Sequence, residues 1–286
     1  MPELAPFYQQ VQSHYDLSDD FYALFLDPSM TYSCAYFTDE HMTLEQAQTA
    51  KIDLALGKLR LQPGMTLLDI GCGWGATMIR AAQHYGVRVV GLTLSRNQHR
   101  HVQQRIDALG LARVAEVRLQ GWEEYRGEAD RIVSIGAFEH FRKERYPEFF
   151  QRCRDMTPAD GRVLLHSIIG RTLAELRTRD IPVTRADALF HIFVKREIFP
   201  GGQVPQPDTI PALAESTGFH VQRIHSLQPH YAETLDRWAQ ALRNNRDRAI
   251  ALTSEEVYAR YLKYLDGCAH YFRAGHLDVM QFTLVK

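Results

Sequence analysis

The stretch "SIGAFEHF", residues 134–141, places Glu139 and His140 between Phe138 and Phe141. A carboxylate and an imidazole in apolar company cost desolvation free energy unless each has a partner or a task. Burial favours the protonated carboxyl, so a Glu139 held there is suited to share a proton rather than to carry a fixed charge. Three other side chains have types that suit the same chemistry: Cys34 in "TYSCAYF", His166 in "VLLHSII" and Tyr231 in "LQPHYAETL". A lone buried histidine is more often a satisfied core residue, so His166 acquires a chemical reading only if the fold carries it to the edge where Glu139 lies.

A second group of residues reads as a ligand cradle. "LLDIGCGWGAT" puts Asp69 at the end of an apolar run and glycines at 71, 73 and 75 ahead of a helix. Such glycines permit a tight turn and close approach of backbone to a ligand, and the helix start offers free N–H groups. The pattern alone fits a dinucleotide site or a bare strand-to-helix turn. Dinucleotide folds, however, need a carboxylate at the end of the next strand to hold a ribose, and "RVVGLTLSRNQ" offers Thr93, Ser95 and Gln98 instead. In "LQGWEEY", Trp122 can stack on a base and Glu123 can accept from an exocyclic amine, although an amphipathic turn with a core tryptophan reads the same way. The acidic residue two places before the first glycine makes "DIGCGWG" resemble motif I of class I S-adenosylmethionine methyltransferases.

Elements that would position these residues follow from hydrophobic periodicity. Short apolar runs at "MTLLDIG", "RVVGLTL", "VAEVRLQ", "DRIVSIG" and "GRVLLHSII" alternate with amphipathic segments, the signature of βα units and a parallel sheet. "FHVQRIHSL" and "DVMQFTLVK" add two late strands, predicting a seven-stranded sheet with helices on both faces and its last strand antiparallel. "SIGAFEHF" then falls at the carboxyl edge of the fourth strand, where open α/β sheets bind ligands. One domain is expected over 1–286. Residues 1–60 form its N-terminal helical cover, with Ser18 and Thr43 as helix caps, and residues 170–215 form an inserted helical lid.

Composition narrows the partners. The 33 basic and 34 acidic residues nearly cancel, which argues against nucleic acid and leaves at most a local, peripheral contact with a membrane. Four scattered cysteines, with no metal spacing, no secretory pattern at the N-terminus and no spanning segment, make a reduced cytoplasmic protein the expectation and a metal site unexpected.

"HYDLSDDFYALFLD", "TYSCAYF", "LLDIGCGWGAT", "GLTLSRNQ", "SIGAFEHF", "EIFPGG" and "LQPHYAETL" occur in an order that resembles the mycolic acid cyclopropane synthases, a branch of the cyclopropane fatty acid synthase family. The resemblance runs from about residue 10 to the C-terminus. It implies a class I methyltransferase (Rossmann-like) fold and S-adenosyl-L-methionine as methyl donor to a double bond in a long acyl chain, carried on an acyl carrier protein or held in a phospholipid. A carbocation would form and then close to a ring by losing a proton to a bound bicarbonate or carbonate ion. The ion would be held by Glu139, His166, Tyr231 and the amides of Cys34 and Ile135. Tyr32, Ser33, Asp69, Gly71, Gly73, Gly75, Thr93, Leu94, Ser95, Gln98, Trp122 and Glu123 are the expected cofactor contacts. Relatives that add a hydroxylated methyl branch carry glutamate at the position of Gly136, so ring closure is expected here.

Such a reaction needs a dry site with aromatic faces toward the cation, and Tyr15, Tyr32, Phe141 and Tyr264 are candidates. His140 is expected to face away and support its loop. Leu189, Phe190, Ile192, Phe193, Val194, Ile198 and Phe199 would line an acyl channel or simply pack a core, with His191 and Lys195 on another face. Two rival readings stay open: a methyltransferase acting on nitrogen or oxygen of a small molecule, and a non-catalytic lipid-binding protein that has kept the cofactor fold.

Overall fold

Leu67 and Leu68 are neighbours in sequence, yet they pack into different hydrophobic clusters. That alternation, repeated at Ile132 and Val133 and at Val163 and Leu164, shows a sheet buried on both faces. The computed structural model describes residues 4–7 and 18–286. Seven strands form the sheet: β1 (Thr66–Ile70), β2 (Arg88–Thr93), β3 (Ala115–Leu119), β4 (Arg131–Ile135), β5 (Arg162–Gly170), β6 (His220–Ser226) and β7 (Leu277–Val285). Their order is β3-β2-β1-β4-β5-β7-β6, parallel except for β7, which runs antiparallel to both β5 and β6.

Helices Leu44–Lys58, Ala76–His84 and Arg96–Ala108 cover one face through Ile52, Leu56, Met78, Ile79, Val102 and Ile106. Helices Tyr146–Met156 and Thr209–Ser216 cover the other through Phe149, Phe150, Cys153 and Ile210. Strand order reverses between β1 and β4, so the turns after these two strands open a crevice at their carboxyl ends.

A third cluster stands beyond that edge. Phe21, Tyr22, Phe25, Tyr231, Trp238, Tyr261, Tyr264 and Phe272 pack together and meet the sheet at Ile168, Leu277 and Val279. Its residues come from the N-terminal segment and from helices Gln228–Asn244 and Glu255–Arg273. Ser18 caps a helix of only four residues, Asp19–Tyr22. The chain then loops to Thr43, which closes a reciprocal capping box with Gln46 at the start of Leu44–Lys58. Tyr15 lies outside the described residues.

Candidate active site

The crevice holds a cavity lined by the ends of β1, β2 and β4 and by the loop at 30–33. Tyr32, Ser33, Asp69, Gly71, Gly73, Thr93, Leu94, Gln98, Trp122, Glu123 and Ile135 all line it. Gly73 sits at φ +56°, and a side chain there would enter open cavity. Gly71, at φ +79°, has no such room, since an added Cβ would lie 2.3 Å from Cβ of Ala137. Gly75 and Ser95 do not line the cavity. Gly75, in the left-handed region at φ +87°, starts the helix after β1, and Ser95 caps the helix after β2 by accepting from the Gln98 amide at 3.2 Å. They shape the cradle without facing its contents. Thr93 donates to Gln98 Oε1 at 2.8 Å, which fixes that side chain at the cavity wall.

Three cavity-lining residues carry buried polar atoms that lack a partner among the described residues: Asp69 Oδ2, Trp122 Nε1 and Glu123 Oε2. Orphaned buried polar atoms are rare, and here they fit a ligand with an amine at one end and a base at the other. Burial pushes the Asp69 carboxyl up to about 7, although Lys51 opposes the shift. Glu123 is also raised by burial, against the pull of Arg145, whose Nη1 donates to Glu123 Oε1 at 3.1 Å. The residues therefore fit S-adenosylmethionine.

Lys51 was missing from the expected contacts. It is fully buried, lines the cavity and donates to Ser33 Oγ at 2.6 Å, with burial pushing its ammonium down to about 8. Its signal was present in helical spacing, because Ala47, Lys51 and Ala55 recur at i+4 on the buried face. Gln48, on the same face, donates to the carbonyls of Thr31 and Ser33 at 3.2 and 2.8 Å and so pins the loop.

Glu139, His166, Tyr231 and Cys34 are buried but lie outside the cavity lining, and Cys34 and Tyr231 belong to the aromatic cluster. Glu139 belongs to a single 3-10 turn after β4, and its Oε1 accepts from the Ile168 amide of β5 at 2.6 Å. The Gly136 amide donates to the His166 carbonyl at 2.9 Å, which ties the same turn to β5 a second time. Cys34 and Tyr231 share a neighbour, Leu227: its carbonyl accepts from the Cys34 thiol at 3.8 Å and from the Tyr231 amide at 3.2 Å.

Two atoms of this group, Glu139 Oε2 and His166 Nε2, are buried without a partner among the described residues. Burial raises the Glu139 carboxyl, opposed by its hydrogen bond from Ile168. His166 is held well below its ordinary range by burial, aided by the nearby charges of Lys51 and Lys58. At neutral pH its ring is neutral.

His140 departs from expectation. It lines the cavity instead of facing away, and burial pushes its imidazole down to about 4. A 3-10 turn advances about 120° per residue, so Glu139 and His140 leave the same turn in different directions and both find interior space. Phe141 lines the cavity 5.8 Å from Trp122 and belongs to the cluster beneath the sheet, apart from Tyr264. Tyr32 does join the upper aromatic cluster, its hydroxyl donating to Tyr264 at 3.3 Å.

The segment 185–199 divides sharply. Phe190 stacks on Tyr271 at 4.8 Å, Phe193, Val194 and Phe199 pack on the aromatic cluster, and Ile198 is buried. Leu189 and Ile192 instead face outward, 57% and 48% exposed, as do His191 and Lys195. The helix Arg185–Phe193 runs into a π turn at Val194–Ile198, which rotates the later apolar residues inward.

Residues 3–282 match the family model described as mycolic acid cyclopropane synthetase. The chain belongs to this family. Among curated relatives, cyclopropane mycolic acid synthase MmaA2 of Mycobacterium tuberculosis (strain H37Rv) is 57% identical over 284 residues, 99% of each chain. Cyclopropane mycolic acid synthase 1 of the same strain is 58% identical, also over 99% of each chain. The solved structure of MmaA2 from Mycobacterium tuberculosis superposes with a TM-score of 0.98, covering 99% of this chain and 100% of that one at 57% identity. That of mycolic acid cyclopropane synthase CmaA1 complexed with SAH and CTAB gives 0.97, covering 99% and 100% at 58% identity.

Members of the family are methyltransferase-type enzymes that use S-adenosylmethionine. More distant likenesses, such as coclaurine N-methyltransferase at 23% identity and a TM-score of 0.77, show the shared class I methyltransferase fold. Among the described residues, no helix is long and apolar enough to cross a membrane, and no cluster of histidine, cysteine and carboxylate side chains could hold a metal.

Proposed function

We propose that this chain cyclopropanates a double bond in a long, mycolic-type acyl chain, with bicarbonate bound at Glu139 and His166 as proton acceptor. The observation that carries this reading is the pair of orphaned buried atoms, Glu139 Oε2 and His166 Nε2, on a turn and a strand that the Gly136–His166 and Ile168–Glu139 hydrogen bonds tie together. A methyltransferase acting on a polar atom has no use for an anion pocket facing aromatic side chains. A lipid carrier has no use for a preserved methyl-donor cradle.

S-adenosylmethionine, when bound, supplies an electrophilic methyl group. The chain's own residues provide the rest. Asp69, Lys51 and Ser33 supply charge and hydrogen bonds for the methionyl end, while Trp122 and Glu123 suit the base. Tyr32 and Tyr264 present aromatic faces that stabilise a carbocation by about 0.5–2 kcal/mol each without capturing it. Exclusion of water by the aromatic cluster protects that cation from hydrolysis.

At the anion site the raised pKa of Glu139 lets it keep or share a proton, while the amides of Cys34 and Ile135 and the Tyr231 hydroxyl supply further donors. Bicarbonate held there would supply a base that can accept a methyl proton and leave neutral. Gly136, at φ +67°, points its missing side chain toward Ser33, 3.6 Å from an added Cβ. No carboxylate stands there to order a water, which supports ring closure over a hydroxylated branch.

The 170–215 segment serves as a lid over the acyl chain. Its exposed Leu189, Ile192, Lys195 and Arg196 suit an acidic acyl carrier protein, and four buried free thiols suit a reducing cytoplasm. Incubation with methyl-labelled S-adenosylmethionine and lipid extract, followed by mass spectrometry of the acyl products, tests the reading. A labelled cyclopropane is the expected product. Label on a polar small molecule, or none on lipid, would overturn it.

A further inference from the structure

Gln281, at the middle of β7, is fully buried and stands directly opposite His166 on β5 and His225 on β6. Residues opposite one another on neighbouring antiparallel strands share a face of the sheet. The three side chains thus form a row across three strands. Lys58, the last residue of helix Leu44–Lys58, reaches into this row: its Nζ lies 2.6 Å from Gln281 Oε1 and 3.1 Å from His225 Nδ1. On the far side of the amide, Gln281 Nε2 lies 3.3 Å from His166 Nδ1.

The directions of these bonds follow from chemistry. A protonated lysine only donates, so the atom of Gln281 facing Lys58 must be the carbonyl oxygen. The amide nitrogen, which also only donates, therefore faces His166. Nδ1 of that ring must accept, so a neutral ring carries its proton on Nε2. Nε2 is buried and has no partner among the described residues.

We propose that Lys58 and Gln281 are positioning residues that set the tautomer of His166, so that its Nε2–H is presented to the active site as a hydrogen-bond donor. The inference rests on the reading of His166 as part of the anion site and gives it a definite role there. His166 donates to an anion oxygen and takes no proton from the reacting carbon, since its other nitrogen is occupied by the Gln281 amide. The relay also explains why the last turn of a surface helix ends in a half-buried lysine beside the sheet.

Nitrogen-15 NMR of protein labelled at histidine, with His166 assigned by comparison with His166→Gln, reads the tautomer directly. The expected wild-type spectrum has a pyrrole-like Nε2 and a pyridine-like Nδ1. Gln281→Glu places an acceptor against Nδ1, so that nitrogen should become pyrrole-like and turnover should fall about 10- to 100-fold, the usual cost of losing an orienting partner. S-adenosylmethionine affinity should stay within a few-fold. Lys58→Met frees the amide to rotate and should mix the tautomers, whereas Lys58→Arg, which also only donates, should restore the wild-type pattern.

A pyrrole-like Nδ1 in the wild type would overturn the proposal even if Gln281→Glu failed to fold, as would a Lys58→Met variant with unchanged ring shifts. Removal of bicarbonate from the wild-type assay tests the anion reading separately, because it leaves the ring's proton in place.

Discussion

The cofactor cavity and the aromatic cluster, where we propose the acyl chain lies, are built on opposite plans. Around the cavity, most of the lining comes from short strings that follow successive strands, 69–74, 92–94 with 98, 120–123 and 135–137, completed by the loop at 30–33, Lys51 and His140. Above it, the aromatic cluster draws on residues 21–36, 190–199, 231–242 and 258–272, brought together only by folding. A polar ligand of fixed shape needs particular backbone conformations and particular hydrogen bonds, so few residues serve at each place. An acyl chain needs only large apolar surface, which many side chains supply equally well. Specific recognition is therefore written locally, and apolar recognition is spread along the chain.

The sharpest way to break this contrast is to remove the cofactor half alone. Gly73→Val should abolish S-adenosylmethionine binding and with it all turnover. Its branched side chain would have to adopt φ +56° and would occupy the cavity itself. Titration calorimetry measures the loss, and the aromatic cluster should keep its native near-ultraviolet dichroism. Near-native affinity would show that the cavity is not the cofactor's place.

The reciprocal change strikes the proposed anion site. Glu139→Gln keeps shape and hydrogen bonding but cannot share a proton with a bound anion. Turnover should drop about 100-fold, the usual size of a lost acid–base contribution, with cofactor affinity changed by no more than a few-fold. If binding and turnover fell together, Glu139 would be a structural support of the cradle. Wild-type turnover would withdraw the anion site.

The smallest expected effect concerns pH. Burial holds His166 well below its ordinary value of 6.5, so below that pH the unfolded chain binds a proton that the folded chain refuses. Stability should then fall as pH falls, by about 1.4 kcal/mol per pH unit for one such group, until the lowered pKa is reached. His166→Gln should flatten the acid limb of a urea-denaturation series by that slope. Gly73→Val should leave the slope unchanged, because its site lies in the other half.

Much of the cofactor half was legible from residue types. Asp69, the glycines, Thr93, Ser95, Gln98, Trp122 and Glu123 were named from their strings, and all but Gly75 and Ser95 line the cavity. Those two were misplaced because a cap and a cavity contact have the same residue preferences at the start of a helix. Lys51 was overlooked because lysines usually mark the solvated face of a helix, and only its neighbours Ala47 and Ala55 argued otherwise. In the lid, apolar composition suggested that all seven residues line a channel or pack a core. The structure turns Leu189 and Ile192 outward, because one helix face cannot hold seven apolar residues within eleven positions.

The sequence by itself determined the strands, their parallel run with an antiparallel last strand, and the turn chemistry at 71–75 and 134–141. These depend on periodicity and on backbone conformations that only certain residues adopt. Tertiary structure alone decided that His166, Gln281, His225 and Lys58 form one row, since strand register between β5, β6 and β7 sets which side chains stand opposite one another. It also decided that Glu139 and His166 keep their unpaired atoms buried. Whether a polar atom finds a partner depends on every element packed around it, and no local string of residues encodes that.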